Sequence, residues 1–407
     1  MITSRSVALR NVLAENFRAN PLYELVLFDR LPLSEQAMLI DLRSDQDFYG
    51  ILRPRVANGL AIKSVCRNAA LLYLTLREPG VLPSYLTNNP VPDTNQSIAE
   101  LVLDGVLEVK QVSNGTFVSG SEAYPVLYAD RLPDKTRGTL SELSINALRY
   151  AQAFETEDAG KLSARLYFYN RTPASPRWLR QLPNEDSVLD WLSLSEGGPL
   201  RRRLRATWSE LAAAEISDGW RVWRRRNYSP SLSEQTDYKL YISPLVSAMP
   251  EAFGKTIEVL GSSAAVRFKI GRDVYGLLRP DKFVAYFPTY ETVAEAATSL
   301  RTILCDCSPH GVPFTADLTG DGLLSWGMDP PRSQRLLGWQ PFESWRLWIT
   351  NRLATSLIAA RAATNRAIEP WRFAMERLEL QGVDTGSWIP SRSIWNAAEQ
   401  GEGGNCP

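Results

Sequence analysis

After Asn227 the apolar residues of this chain stop recurring every three or four positions and begin to alternate. In DYKLYISP, Tyr238, Leu240 and Ile242 fall on one face, and Lys239 and Tyr241 on the other. In AVRFKIG, Val266, Phe268 and Ile270 oppose Arg267 and Lys269. A period of two belongs to a strand with one buried face. KFVAYFP reads as a more continuously apolar strand, while PEAFGKTIEVLG and TVAEAATSLRTILC carry helical spacing. The order strand, helix, strand, strand, helix predicts a small mixed sheet covered by helices on one face. Next comes ESWRLWITNRLATSLIAARAATNRAI, where Trp345, Ile349, Leu353 and Leu357 stand four apart, the stripe of a helix packed on a core. Pro370 ends it, and WRFAMERLELQG makes a further helix.

Upstream the texture is helical. NQSIAELVLDG is an amphipathic helix stopped by Gly105. VLEVKQVSNGTFVSG alternates on both sides of Asn114-Gly115, the signal of a two-residue hairpin. Helices followed by a hairpin suggest a winged-helix-like module, or else a small α+β subdomain that packs on the rest. SELSINALRYAQAFE, SVLDWLSLS and RATWSELAAAEI read as helices, with Pro173, Pro176 and Pro183 in the loops between. The expected class is α+β. It has a helical N-terminal half carrying a winged-helix-like hairpin module, and a C-terminal mixed sheet covered by helices. The divisions fall at 1–130, a middle helical region 131–226, a sheet domain 227–395 and a Gly-rich tail 396–407.

Charge narrows the function classes. Lys+Arg and Asp+Glu both number 45, so no global field favours nucleic acid or an anionic membrane. No run approaches the roughly 18 apolar residues of a membrane span, and MITSRSVALRNVLAENF lacks the apolar core of a signal peptide. A cytoplasmic protein is expected. Cys66, Cys305, Cys307 and Cys406 form no CxxC, and one histidine cannot complete a zinc site with them. No metal or cofactor is expected. Asp317, Asp321 and Asp329 in TADLTGDGLLSWGMDPP resemble a calcium loop only superficially, without the closing Glu.

Two local clusters break the neutrality. Between Arg201 and Arg226, eight arginines face Glu210, Glu215 and Asp218. Trp208, Trp220 and Trp223 interleave as core anchors. A solvated face, an anionic ligand and a nucleic acid all remain open readings there. The second cluster is FKIGRDVYGLLRPDKFVAYF. Arg267 and Lys269 leave the buried face of their strand, and Arg272, Arg279 and Lys282 follow; if Lys239 and Tyr241 point to the same face of a neighbouring strand, three cations share one surface. Gathered like charges need an anion or acidic partners. Asp237, Asp273 and Asp281 allow an ion-pair network, and a phosphate-bearing ligand is the alternative that the reading favours. No GxxxxGK[ST] occurs, so this is not a P-loop. The lone His310 lies in a turn-rich loop, incidental or catalytic.

DYKLYISP, the FKIGRDVYGLLRPDKFVAYF segment, HGVPFTADL with LLSWGMDPP, ESWRLWITNRLA and WRFAMERLELQGVDTGSWIP together resemble the HopA effector-like family, over roughly residues 235–392. That family is named for a type III secreted effector. Related domains accompany an aminoglycoside-phosphotransferase-like kinase in gene clusters for modified ribosomal peptides, including class V lanthipeptides and thioamitides. The resemblance implies a lyase that removes phosphate from phosphoserine or phosphothreonine of a precursor peptide, with that kinase as partner; a secreted effector is the other setting it allows. Such a β-elimination needs a base for the Cα proton and positive charge on the leaving group. An amine crowded by like charges gives up its proton more readily. Lys269 is therefore the first candidate base and Lys239 the second. Arg267, Arg272, Arg279 and Lys282 are the candidate phosphate ligands. His310 or Tyr241 would protonate the leaving oxygen or polarise the peptide carbonyl. The hairpin edge would pair with an extended leader segment. A binding protein for the phosphopeptide or the kinase is the non-catalytic alternative.

Overall fold

The computed structural model describes residues 9–55, 60, 62–88, 94–128, 138–212, 219–226, 228, 238–330, 343–363 and 367–390. The expected α+β class is what it shows, helices packed on antiparallel sheets. The tail 396–407 and Asp237 lie outside the described residues.

The N-terminal stretch holds more strands than helices followed by a hairpin would give. Strands β1 (Asn16–Ala19), β2 (Tyr23–Leu27), β3 (Phe48–Pro54), β4 (Lys63–Cys66), β5 (Gly80–Val81), β6 (Leu107–Lys110) and β7 (Phe117–Val118) build two sheets, ordered β5-β1-β6-β7 and β2-β3-β4. Most are too short for a periodicity to declare itself. The helix Thr94–Leu103 forms as expected, burying Ile98, Ala99, Val102 and Leu103 against the β6 side chains Leu107 and Val109. Gly105, at φ 72°, turns the chain out of it. The β6–β7 hairpin exists, but its turn is wider than two residues. Gln111 N–H bonds to Thr116 O, and Asn114 Oδ1 accepts the Thr116 N–H and hydroxyl. That backbone bond and one from Gly115 N–H to Gln111 O close this wider loop, and the Asn114 side chain braces it.

The sheet that carries the site has seven strands among the described residues. These are β8 (Trp208–Glu210), β9 (Trp220–Arg225), β10 (Tyr238–Ile242), β11 (Arg267–Gly271), β12 (Phe283–Phe287), β13 (Ala316–Asp317) and β14 (Leu324–Met328). Their order is β13-β14-β10-β12-β11-β9-β8, with every pairing antiparallel. Leu240, Ile242, Phe268, Ile270, Phe283, Ala285 and Phe287 turn one face into the main core, under helices Met249–Ser262 and Tyr290–Ile303. RATWSELAAAEI is not one helix. Its helix, Pro199–Thr207, ends before Trp208, which opens edge strand β8. Trp208, Trp220 and Trp223 are buried as expected, but on strands rather than at helical spacing. Because β9 pairs with β11, the sheet takes strands from both sides of the expected division at 226.

The long helix Trp345–Ala362 buries Trp345, Ile349, Leu353 and Leu357 as read from the stripe. It packs against helices Ala159–Tyr167 and Pro370–Leu380. Its first residue lies on β14 at Gly327, where any Cβ would collide with the Trp345 indole. Gly327 pairs with Lys239, so this contact brings the helix start onto the second face of the sheet. No helix among the described residues is long and apolar enough to cross a membrane.

Candidate active site

Register alone assembles the floor of the site. Tyr286 pairs with Lys239 on one side and with Arg267 on the other; Val284 pairs with Tyr241 and with Lys269. Because side chains alternate along a strand, all six share the second face of the sheet. Around the Tyr286 ring stand Arg267 Cζ at 4.1 Å, Lys239 Nζ at 5.5 Å and Lys269 Nζ at 5.8 Å from its centroid. Burial pushes the Tyr286 phenol up, yet Lys269, Lys239 and Arg267 outweigh it and bring the hydroxyl below its ordinary value. The direction reports a positive potential at the hydroxyl.

The cations differ in what holds them. Lys239 is buried, with Nζ 2.5 Å from Asp329 Oδ1, an oxygen that also accepts the Trp345 N–H at the start of the long helix, at 2.7 Å. Lys269 and Arg267 pair with no carboxylate among the described residues. Lys269 Nζ lies 4.1 Å from the Trp220 centroid. Arg224, exposed, sits beside Arg267 in the register.

Next to this floor lies a carboxylate hub. Asp281, 3 % exposed, takes two bonds of 2.9 Å from Arg279 and one of 3.0 Å from the Tyr167 hydroxyl. Arg346 Nη1 is 3.0 Å from Asp281 Oδ2, the oxygen that also accepts from Tyr167 and Arg279 Nη2, while Arg346 Nη2 and Nε bond the carbonyls of Tyr167 and Pro313. Burial alone would raise the Asp281 carboxyl, but Arg279 and Arg346 hold it well below the usual carboxylate range. Arg279 also stacks near Trp220 (4.6 Å), Tyr167 (5.4 Å) and Phe168 (5.4 Å). Burial, then the nearby Asp329, drive the Tyr241 phenol far above its ordinary value, so it stays protonated and can donate. Lys239, Arg267, Lys269, Arg279 and Arg346 stand against Asp281 and Asp329, an excess of three positive charges among the described residues.

Three of the expected site residues go elsewhere. Lys282 is wholly buried and donates to the Pro244 carbonyl (3.0 Å) and His310 Nδ1 (2.8 Å), so its amine is not available to a phosphate. Burial lowers that amine to about 7. Burial, then the neighbouring Lys282, lower His310 to about 3, leaving it a neutral acceptor rather than an acid. Its Nε2 is 3.5 Å from Thr172 Oγ1, and no contact joins it to Lys239, Lys269 or Tyr241. Arg272 turns outward to Glu185, at 2.6 Å. Sequence reading missed Arg346, Tyr286, Tyr167 and the Lys239 partner Asp329. Arg346 had a signal: a cation in the first turn of a helix opposes the helix dipole and needs a reason.

The other sequence features carry no comparable site. In the Arg201–Arg226 stretch, Arg201 and Arg205 reach Glu196, Arg203 reaches Glu258, and Arg221 reaches Glu210 and Glu185. Arg225 is caged by the carbonyls of Leu260, Gly261, Ser263 and Ala265. Asp317 Oδ1 and Asp321 Oδ1 accept bonds within their own loop, from Thr319, Gly320 and Leu323. No group of three metal-ligating side chains occurs among the described residues.

No family model matches the chain, and no curated protein matches its sequence. Among solved structures it is similar to the effector protein from Pseudomonas syringae pv. tomato strain DC3000, at 11% identity and TM-score 0.38, over 62% of this chain and 98% of that one. It is also similar to the type III effector/phosphothreonine lyase OspF from Shigella flexneri, at 15% identity and TM-score 0.27, over 50% and 95%. The phosphothreonine lyase SpvC, an effector from Salmonella, is similar at 14% identity and TM-score 0.26, over 52% and 99%. Scores this low assign neither fold nor activity to the chain.

Proposed function

We propose that this protein is a phosphoserine/phosphothreonine lyase acting on a peptide. The observation that carries the reading is Lys269. It is an amine with no carboxylate partner among the described residues, on a face that also holds Arg267, likewise unpaired among them, and the protonated phenol of Tyr241. In the reaction the Lys269 amine takes the Cα proton of the phosphorylated residue. The freed electron pair forms the Cα–Cβ double bond, the Cβ–O bond breaks, and phosphate leaves with that bonding pair. The Tyr241 phenol supplies a proton to the departing oxygen. Arg267 and Lys239 face the phosphate and offset its charge. Arg279 keeps one edge of its guanidinium on Asp281 and turns the other to the phosphate. The negative charge that develops at Cα spreads into the peptide carbonyl, and the positive field of the face stabilises it.

The setting we propose is maturation of a ribosomally made precursor peptide in the cytoplasm, with a kinase of the aminoglycoside-phosphotransferase type supplying the phosphate ester. The two-residue strand β7, which ends its sheet, would add an extended leader segment. Leader binding that survives Phe117→Pro unchanged would remove that role. The activity itself is tested by mass spectrometry of a phosphothreonine peptide incubated with the purified protein. Loss of one phosphoric acid, abolished by Lys269→Ala, is the expected result. Saturable binding without mass loss would turn the reading to a phosphopeptide-binding protein, and neither mass loss nor binding would reduce the face to an internal charge network.

A further inference from the structure

We propose that Trp220 is a positioning residue of this site, holding the Lys269 amine and the Arg279 guanidinium in place with one indole. The proposal rests on the lyase reading for its catalytic meaning, but its geometry does not depend on it. Trp220 opens β9 and pairs with Gly271, while Val222 pairs with Lys269. The period of two therefore puts Trp220, Val222 and Lys269 on the same face. The backbone before Trp220 is pinned: Gly219 adopts φ 86°, and its carbonyl accepts the Arg272 N–H at 3.0 Å. The indole is 6 % exposed, so it has little room to move.

Two cations converge on this ring, Lys269 Nζ at 4.1 Å and Arg279 Cζ at 4.6 Å from its centroid. Arg279 has other anchors in Asp281 and Tyr167. Lys269 has no ion pair among the described residues: its contacts there are with the rings of Trp220 and Tyr286, and the Tyr286 ring is farther, at 5.8 Å. A lysine side chain left free samples many rotamers. A base must be aimed at one proton, and small misplacements are costly to rate. The negative face of an indole attracts an ammonium more weakly than a carboxylate does, so it orients the side chain while opposing loss of its proton less than the carboxylate that holds Lys239 would. It also lets two like charges lie near each other at reduced mutual cost.

The test has one readout that is independent of activity. Protons on the Lys269 ε-carbon, assigned in a carbon–proton NMR spectrum by their loss in Lys269→Arg, should be shifted upfield by the indole ring current in the wild-type protein. Trp220→Leu should remove the shift and Trp220→Phe retain part of it. In turnover of a phosphothreonine peptide, Trp220→Leu should lower kcat by about 2- to 30-fold, the worth of a cation–π contact, with KM little changed. Trp220→Phe should restore most of the rate. An ordinary Lys269 chemical shift in the wild-type protein overturns the placement, whether or not any variant folds. A folded Trp220→Leu protein with wild-type kcat overturns the positioning role. A shifted Lys269 signal in a wild-type protein that eliminates nothing supports the placement and overturns the lyase reading instead.

Discussion

Two stretches of this chain look alike in sequence, each crowded with cations, and they have opposite fates. From Arg201 to Arg226 the arginines find carboxylates: Glu196, Glu258, Glu210 and Glu185 take four of them, and backbone carbonyls take Arg225 and Arg226. On the second face of the large sheet, Arg267 and Lys269 find aromatic rings and, among the described residues, no carboxylate within ion-pair distance. A count of charges along the chain cannot separate these cases, because most of the neutralising acids come from other elements. What separates them is register. Antiparallel pairing sets tyrosine and valine, not glutamate, opposite Arg267 and Lys269. Charge that a fold leaves unneutralised on an ordered surface is available to a ligand, and charge it has paired is not.

The sharpest way to break this contrast is to remove the unpaired amine. Lys269→Ala should lower elimination from a phosphothreonine peptide by about 10²- to 10⁴-fold, the usual worth of a general base. The same change should hardly alter the melting temperature, since no ion pair is lost. Tyr241→Phe, which keeps the ring and deletes only the hydroxyl, should cost less, because a leaving phosphate can draw on other cations of the face. If Lys269→Ala retains the wild-type rate, the unpaired amine is not the base and the contrast loses its functional meaning.

The hub beside the floor tests the other half of the contrast, a charge that is paired and buried. Asp281→Asn strands Arg279 and Arg346 against a neutral amide, and breaking such a buried pair should destabilise the fold by about 3–5 kcal/mol. The pH dependence has a definite sign. The Asp281 carboxyl is held below its unfolded value of about 3.9, so the unfolded chain binds the proton first as pH falls. The stability it contributes is therefore present above about pH 4 and is lost on going down through the lower, folded-state value. Chemical denaturation from pH 7 to pH 2 should show the wild-type advantage over Asp281→Asn shrinking at the acid end. An advantage that is constant with pH would mean that this carboxylate does not carry the pairing.

How much of this was legible beforehand follows from the range of each interaction. The alternation in DYKLYISP and AVRFKIG placed Lys239, Tyr241, Arg267 and Lys269 on common faces, because strand period is a local property. Their meeting on one sheet needed β12 between β10 and β11, and its continuous apolar run FVAYF gave no face to Tyr286 or Val284. Lys282 misled because it is a lysine near other lysines; only the fold shows Pro244 and His310 already on its amine. Arg346 and Tyr167 come from helices far along the chain, and no spacing rule connects them to Asp281. In the N-terminal part, strands mostly of two to five residues left too few alternations to count, whereas the longer helix Thr94–Leu103 stood out.

The smallest effect belongs to the paired arginines. Arg203 meets Glu258 at 2.6 Å with both side chains more than half exposed, and Arg205 meets Glu196 at 3.1 Å under similar exposure. Exposed pairs of this kind are worth about 0–1 kcal/mol, because water and salt already screen them. An Arg203→Ala, Arg205→Ala double variant should melt within a few degrees of the wild-type protein and eliminate phosphate at an unchanged rate. It should also leave any affinity for duplex DNA where it was. A large loss of elimination in that variant would mean that the Arg201–Arg226 stretch takes part in substrate binding despite its carboxylates. The rule drawn from the comparison, that paired surface charge is spent, would then fail in the one place where this chain offers it the most arginines.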